Sequence, residues 1–145
     1  MHLEQIQLNF DKRFESSGLQ AVLQPGATDL ALDSAEGRLG YKLPGQVRAF
    51  YSQHNGLSVV DPRFEIWSLA DLSVDDHRRI HFATADGAHR IYFDCSWFND
   101  AGQWDIVEPV TSKRITYTMA SFWTNKMWKW IDFRQRFWLG EGDRF

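Results

Sequence analysis

Apolar residues recur at helical spacing at the start of the chain and at alternate positions through its middle. Leu3, Ile6, Phe10 and Phe14 stand three and four apart. That spacing predicts one buried face of a helix over residues 2–15, with Glu4, Asp11, Lys12 and Glu15 mostly toward water. Gly18 and the Pro25-Gly26 pair then interrupt the chain. Thr28 and Asp29 offer side chains that can cap a second helix, whose apolar set is Leu32, Ala35 and Leu39 and which Gly40 closes. Pro44 suits the first turn of a third helix carrying Val47, Phe50, Tyr51 and His54 on one side. Asn55-Gly56 ends it, because both residues tolerate a left-handed backbone.

After Gly56 the period drops from helical to two. Residues 57–60 and 64–67 read as strands joined by a turn at Asp61-Pro62-Arg63. Residues 69–79 are charged and read as a short helix and loop. Residues 80–84 form a strand, Asp86-Gly87 a turn, and residues 90–98 the returning strand. In that strand Ile91, Phe93, Cys95 and Trp97 share one face, and Tyr92, Asp94, Ser96 and Phe98 the other. Residues 99–102 turn the chain back into Trp104–Val107. Residues 114–119 alternate cleanly, with Ile115, Tyr117 and Met119 inward. Hairpin connections with one wet face imply an antiparallel meander. Ser121 then caps a last long helix. The pattern predicts an α+β fold: N-terminal helices, a central antiparallel sheet meander and a C-terminal helix, in a single domain over residues 1–145.

The last helix has a sharper feature. At about 100° per residue, Phe122, Trp123, Met127, Trp130, Ile131, Phe133, Phe137 and Trp138 fall within about half of the helical circle. Trp128 falls near about 240°, among Lys129, Asp132, Gln135 and Arg136. An indole there either packs on another part of its own domain or meets a partner. A second aromatic cluster, Trp97, Phe98 and Trp104, surrounds the 99–102 turn, where cross-strand packing and partner contact are the competing accounts.

Composition fits this picture. Aromatic residues make up 15% of the 145 residues, and all seven tryptophans lie between positions 67 and 138. That is ample for a core. The formal charge is −3, which argues against direct nucleic-acid binding. Residues 1–75 hold six basic and ten acidic side chains, so a basic partner is weakly favoured by the first half. One cysteine, Cys95, cannot form an intrachain disulfide and suits a reducing, cytoplasmic setting. The N-terminus lacks the charge and apolar run of a secretory signal, and no run approaches the ~18 apolar residues of a membrane span.

The chemistry of a site is sparse. The sequence has no glycine-rich phosphate loop, nucleophile elbow, paired CxxC or zinc helix. His77 and His81 have the HxxxH spacing, but a helix-to-strand change between them separates the rings, so no metal is assigned. Cys95 alternates with core residues, and a buried thiol is chemically quiet. Asp94 and Asp105 face each other across a hairpin as solvent-side polar residues. No catalytic residue and no cofactor is assigned.

The order of motifs is familiar. Ala35-Glu36, Leu39-Gly40-Tyr41-Lys42-Leu43-Pro44, Phe50-Tyr51 and His54-Asn55-Gly56 resemble the signature of the SUKH superfamily (Smi/Knr-like), which includes the fungal cell-wall synthesis regulator and many bacterial proteins. Residues 66–72, 80–83, 86–87, 91–94 and 120–131 continue the likeness, which spans residues 28–132. In this reading Glu36, Gly40, Leu43, Pro44, Phe50, Tyr51, Asn55 and Gly56 are structural. The resemblance implies a non-enzymatic α+β domain. Bacterial members are often immunity proteins that bind and block a co-encoded toxin domain, frequently a nuclease. The chain departs from the pattern in its Trp-rich final helix and aromatic hairpin tip. Phe98, Trp104 and Trp128 are therefore the candidate partner-binding residues. A regulatory scaffold and a small-ligand domain, or cryptic enzyme, with a pocket between sheet and helices are the alternatives. Monomer and dimer both stay open, since an outlying indole can meet a second copy of the chain.

Overall fold

The computed structural model describes residues 11–139. The predicted helix over residues 2–15 lies mostly outside them. Residues 11–17 are helical, and Phe14 on that segment is buried. A strand that the spacing did not predict, β1 (Ala21–Leu23), follows. Helix α1 (Asp29–Leu39) begins where Thr28 Oγ1 accepts the Ala31 amide, and it ends at left-handed Gly40. Leu32, Ala35 and Leu39 are its buried face, as the spacing predicts. Helix α2 (Gly45–Gln53) starts one residue after Pro44, which stands at the cap with extended ψ rather than in the first turn. Val47, Phe50 and Tyr51 are buried.

Among the described residues the sheet has seven antiparallel strands in chain order, a pure meander. After β1 come β2 (Leu57–Val59), β3 (Phe64–Ile66), β4 (Arg79–Ala85), β5 (His89–Asp94), β6 (Asp105–Val107) and β7 (Arg114–Thr116). One face, with Phe64, Ile66, Ile80, Ile91, Phe93 and Ile106, joins the helices in the core. Phe82 and Phe93 stack at 3.8 Å. The other face carries Glu65, Thr84, His81, Tyr92 and Arg79, and the register sets these side by side across β3, β4 and β5.

Several expected boundaries shift. The 90–98 strand ends at Asp94, so Cys95 stays buried while Trp97 leaves the core face and is 51% exposed. The predicted 114–119 strand ends at Thr116. A register shift between Ile106 and Val107 places Thr116 inside, and Tyr117 becomes 48% exposed instead of pointing inward. Thr118, not Ser121, caps the closing helix: its hydroxyl accepts the Ser121 amide. Asp105 is buried rather than solvent-facing, and Asn99 Nδ2 donates to it at 2.9 Å.

The largest correction concerns the last helix. It opens as α3 (Met119–Ser121), widens into a π-helical stretch at Phe122–Lys126, and continues as α4 (Met127–Phe133). Arg134, left-handed, stops it, and Phe137–Leu139 make a separate 3-10 turn. A π-turn spends one extra residue per loop of chain. That residue turns everything downstream back by about 100°. The shift carries Trp128 from the wet side into the core arc and Phe133 out of it. Trp128 is 2% exposed and Phe133 69%. Deleting exposed Asn125 is therefore expected to convert the π-turn to plain α-helix with Met127, Trp128 and Ile131 still inward. Deleting Lys129 turns Trp130 and Ile131 by about 100°. Thermal unfolding of the two variants checks this: the Asn125 deletion keeps a cooperative transition and the higher Tm.

Candidate functional site

The three candidate partner-binding residues fall in different places. Trp104 is 2% exposed and packs between Phe93 (5.5 Å between ring centroids) and Tyr41 (6.4 Å). Trp128 packs on Phe14 at 4.7 Å, and the Arg13 guanidinium lies 4.0 Å over its ring. Arg13 also pairs with Asp132, so residues 11–17 cover the Trp128 ring. Of the three, Phe98 alone is exposed, at 54%. The structure does not bring the three together.

Phe98 is one of three exposed aromatics here, and the alternation places the other two, Trp97 and Tyr117, inward. Trp97 and Phe98 project from the loop between β5 and β6, and Tyr117 from the end of β7. Asn99 fastens the loop. Its Nδ2 donates to Asp105 Oδ1 and to the Tyr117 carbonyl, both at 2.9 Å, and its Oδ1 accepts the Ala101 and Gln103 amides. Gln103 Oε1 accepts the Gln46 amide and Gln46 Oε1 the Ala120 amide, tying the tip to α2 and α3. The Arg114 guanidinium stands 5.0 Å from the Tyr117 ring. The result is three exposed aromatics on loop and strand-end backbone that Asn99 ties together. A signal for it existed in the sequence: two adjacent aromatics beside a four-residue turn cannot both face one core.

A second feature is a groove of about 620 Å³ between the end of α2 and the sheet. Gln24, Pro25 and Gly26 form one wall and Glu65, Trp67 and Asp71 another. The signature pair Asn55-Gly56 lies on its floor. Asn55 Oδ1 accepts the Leu69 amide at 2.8 Å, and Gly56 takes a φ of 98° with Ile66 O and Ser68 N packed against it. The remaining signature residues are structural as well. Glu36 Oε2 accepts the Leu43 amide, and Tyr51 Oη donates to the Trp67 carbonyl at 2.7 Å. Burial drives the Tyr51 phenol far above its ordinary pKa, so it stays a donor.

Chemically reactive groups are held quiet. The Cys95 thiol donates to the Arg78 carbonyl, and burial pushes its pKa up to about 11, leaving little thiolate. Trp67 Nε1 donates to His81 Nε2 (3.3 Å), and Thr84 Oγ1 stands 2.8 Å from the same nitrogen. Burial, aided by Arg90, lowers the His81 pKa and favours the neutral ring. His77 sits in the turn before β4, so the HxxxH pair shares no helix. Asp94 and Asp105 are register partners, but Asp94 is occupied by Ser96 and Asp105 by Asn99. Among the described residues no three histidine, cysteine or acidic side chains gather as a metal site, and no helix is long and apolar enough to cross a membrane.

Comparison with known proteins adds one finding. The model of the SMI1 / KNR4 family (SUKH-1) matches residues 26–123, from the Gly26 wall of the groove to Trp123 in the π-turn. A search of curated proteins returns no match.

Proposed function

The chain belongs to the SMI1 / KNR4 family (SUKH-1), and from that premise we propose that it is an immunity protein that binds a toxin domain and blocks it by occupying its surface. Family membership is consistent with a protein-interaction domain. The observation that carries the reading further is the aromatic tip: Trp97, Phe98 and Tyr117 stand in solvent on a backbone that Asn99, Gln103 and Gln46 hold rigid. Exposed aromatics are costly unless covered, and aromatic anchors on a preorganised frame carry much of the energy of tight interfaces. Phe98 is the direct anchor in this proposal. Trp104 supports the tip from beneath, and Trp128 acts only by holding the closing helix.

The proposed setting is the bacterial cytoplasm, with the toxin encoded beside this chain. The test is co-expression with the toxin domain encoded next to the gene, followed by co-purification and a survival assay. The expected result is a stoichiometric complex and rescued growth. Phe98→Ala is expected to weaken the complex about tenfold, a loss of a little over 1 kcal/mol for a truncated anchor, without changing the Tm. A chain that neither captures nor neutralises any neighbouring toxin overturns the proposal.

A further inference from the structure

The groove between α2 and the sheet has no role in the aromatic-tip reading, yet it is built as a receptor. Its Trp67 wall is fixed at three points. The Trp67 amide donates to the Phe82 carbonyl at 2.8 Å, its carbonyl accepts Tyr51 Oη at 2.7 Å, and its indole Nε1 donates to His81 Nε2 at 3.3 Å. The facing wall is fixed as firmly. Gln24 N donates to the Gly56 carbonyl (3.1 Å), Asn55 N to the Pro25 carbonyl (3.0 Å) and Ala27 N to the Tyr51 carbonyl (2.8 Å). A slot with both walls pinned needs little ordering when something enters it.

Its charge is one-sided. Among the described residues, Glu65 and Asp71 are the charged side chains of the lining, and no lysine, arginine or histidine lines it. Arg63 Nε, outside the groove, takes Glu65 Oε1, and Ser68 Oγ donates to Asp71 Oδ2. The second oxygen of each carboxylate carries no hydrogen bond among the described residues. An indole beside two carboxylates matches a planar cation. A guanidinium stacks on the indole face and offers its forked N–H groups to carboxylate oxygens. An ammonium supplies only a compact point charge. The volume of about 620 Å³ also leaves room for the backbone that bears the side chain. The excess of acids in residues 1–75 draws a basic surface toward the same region.

We propose that this groove receives an arginine side chain presented by a partner protein, against the wall that carries the Trp67 indole and the carboxylates of Glu65 and Asp71. The proposal concerns the recognised group and does not depend on the partner being a toxin. Its test uses no toxin, so its failure and the failure of the immunity reading are separate results.

The experiment is an amide and indole NMR titration of the full chain with the peptide acetyl-Gly-Arg-Gly-amide. The control is the same peptide carrying citrulline, which keeps the shape and removes the charge. The expected result is a saturable shift of the Trp67 indole N–H and of the Gly26 and Gly56 amides, with citrulline about tenfold weaker. The double variant Glu65→Gln/Asp71→Asn is expected to lose a similar factor while keeping its spectral dispersion. Equal binding of the arginine and citrulline peptides overturns the proposal, as do shifts that fall elsewhere or never saturate. If the double variant misfolds, the comparison of the two peptides on the unaltered chain still decides.

Discussion

Replacing Trp104 by alanine is expected to cost about 3–5 kcal/mol of stability, the range for emptying a buried Trp site. In a domain of this size that lowers the Tm by about 6–20 °C. The indole is 2% exposed and fills the space between the Phe93 and Tyr41 rings. No neighbour is free to collapse into the hole. Phe93 is itself stacked on Phe82, and the adjoining loop is fastened by Asn99 and Gln103. Phe98, six residues earlier, is expected to behave in the opposite way. Its truncation changes stability by no more than about 0.5 kcal/mol, as for most exposed positions. Chemical denaturation of both variants, beside a partner-binding measurement, separates a core tryptophan from a docking aromatic. If Trp104→Ala unfolds at the parent midpoint and only binding falls, the buried packing described above is wrong in its energetics.

The helices and the meander were legible because their signals are local. Thr28 before an i, i+3 apolar set, Gly40 after it, and Asn55-Gly56 before the first alternation each mark a boundary within a few residues. The family signature was legible for the same reason. What misled was periodicity carried across an unseen irregularity. The wheel from Phe122 assumed a constant advance, and the π-turn at Phe122–Lys126 broke it, exchanging Trp128 and Phe133 between core and solvent. The shift between Ile106 and Val107 did the same to Thr116 and Tyr117. A short strand leaves too few residues for its phase to be read, and all of β6 is buried.

The groove was beyond the sequence for a different reason. Its walls come from residues 24–26, 55–58 and 65–71, which the meander brings together only after β1 and β3 have flanked β2. Gly26 and Trp67 each look unremarkable in their own stretch. Gln24 and Gly56 join only by the backbone bond that ends the β1–β2 ladder. The Asn55-Gly56 pair does follow the end of α2, where His54 is extended and only Gly56 of the pair is left-handed, and its second task depends on a segment fourteen residues onward: the Asn55 side chain holds the Leu69 amide.

Gly26→Ala is expected to be the most damaging single-methyl addition in the described chain. A Cβ at that position stands 2.0 Å from the Ser52 carbonyl oxygen, 2.8 Å from its carbon and 3.2 Å from the Gln53 carbonyl carbon. These are backbone atoms of the last turn of α2, so no side chain can swing aside. The glycine itself cannot back away. The bonds from Asn55 N to the Pro25 carbonyl and from Ala27 N to the Tyr51 carbonyl hold the peptides on either side of it. Relief therefore requires one of those bonds to break or the end of α2 to unwind. Overpacking typically costs about 1–3 kcal/mol, and a lost backbone bond adds about 0.5–1.5 kcal/mol. The expected total is about 1.5–4.5 kcal/mol on these terms. Gly37→Ala is the matched control: it sits inside α1, its Cβ meets nothing within 4 Å, and alanine there favours the helix by roughly 0.5–1 kcal/mol. Denaturant midpoints of the two variants should move in opposite directions. Equal midpoints would mean that residues 24–27 yield without cost, and the pinned wall of the groove would have to be abandoned with them.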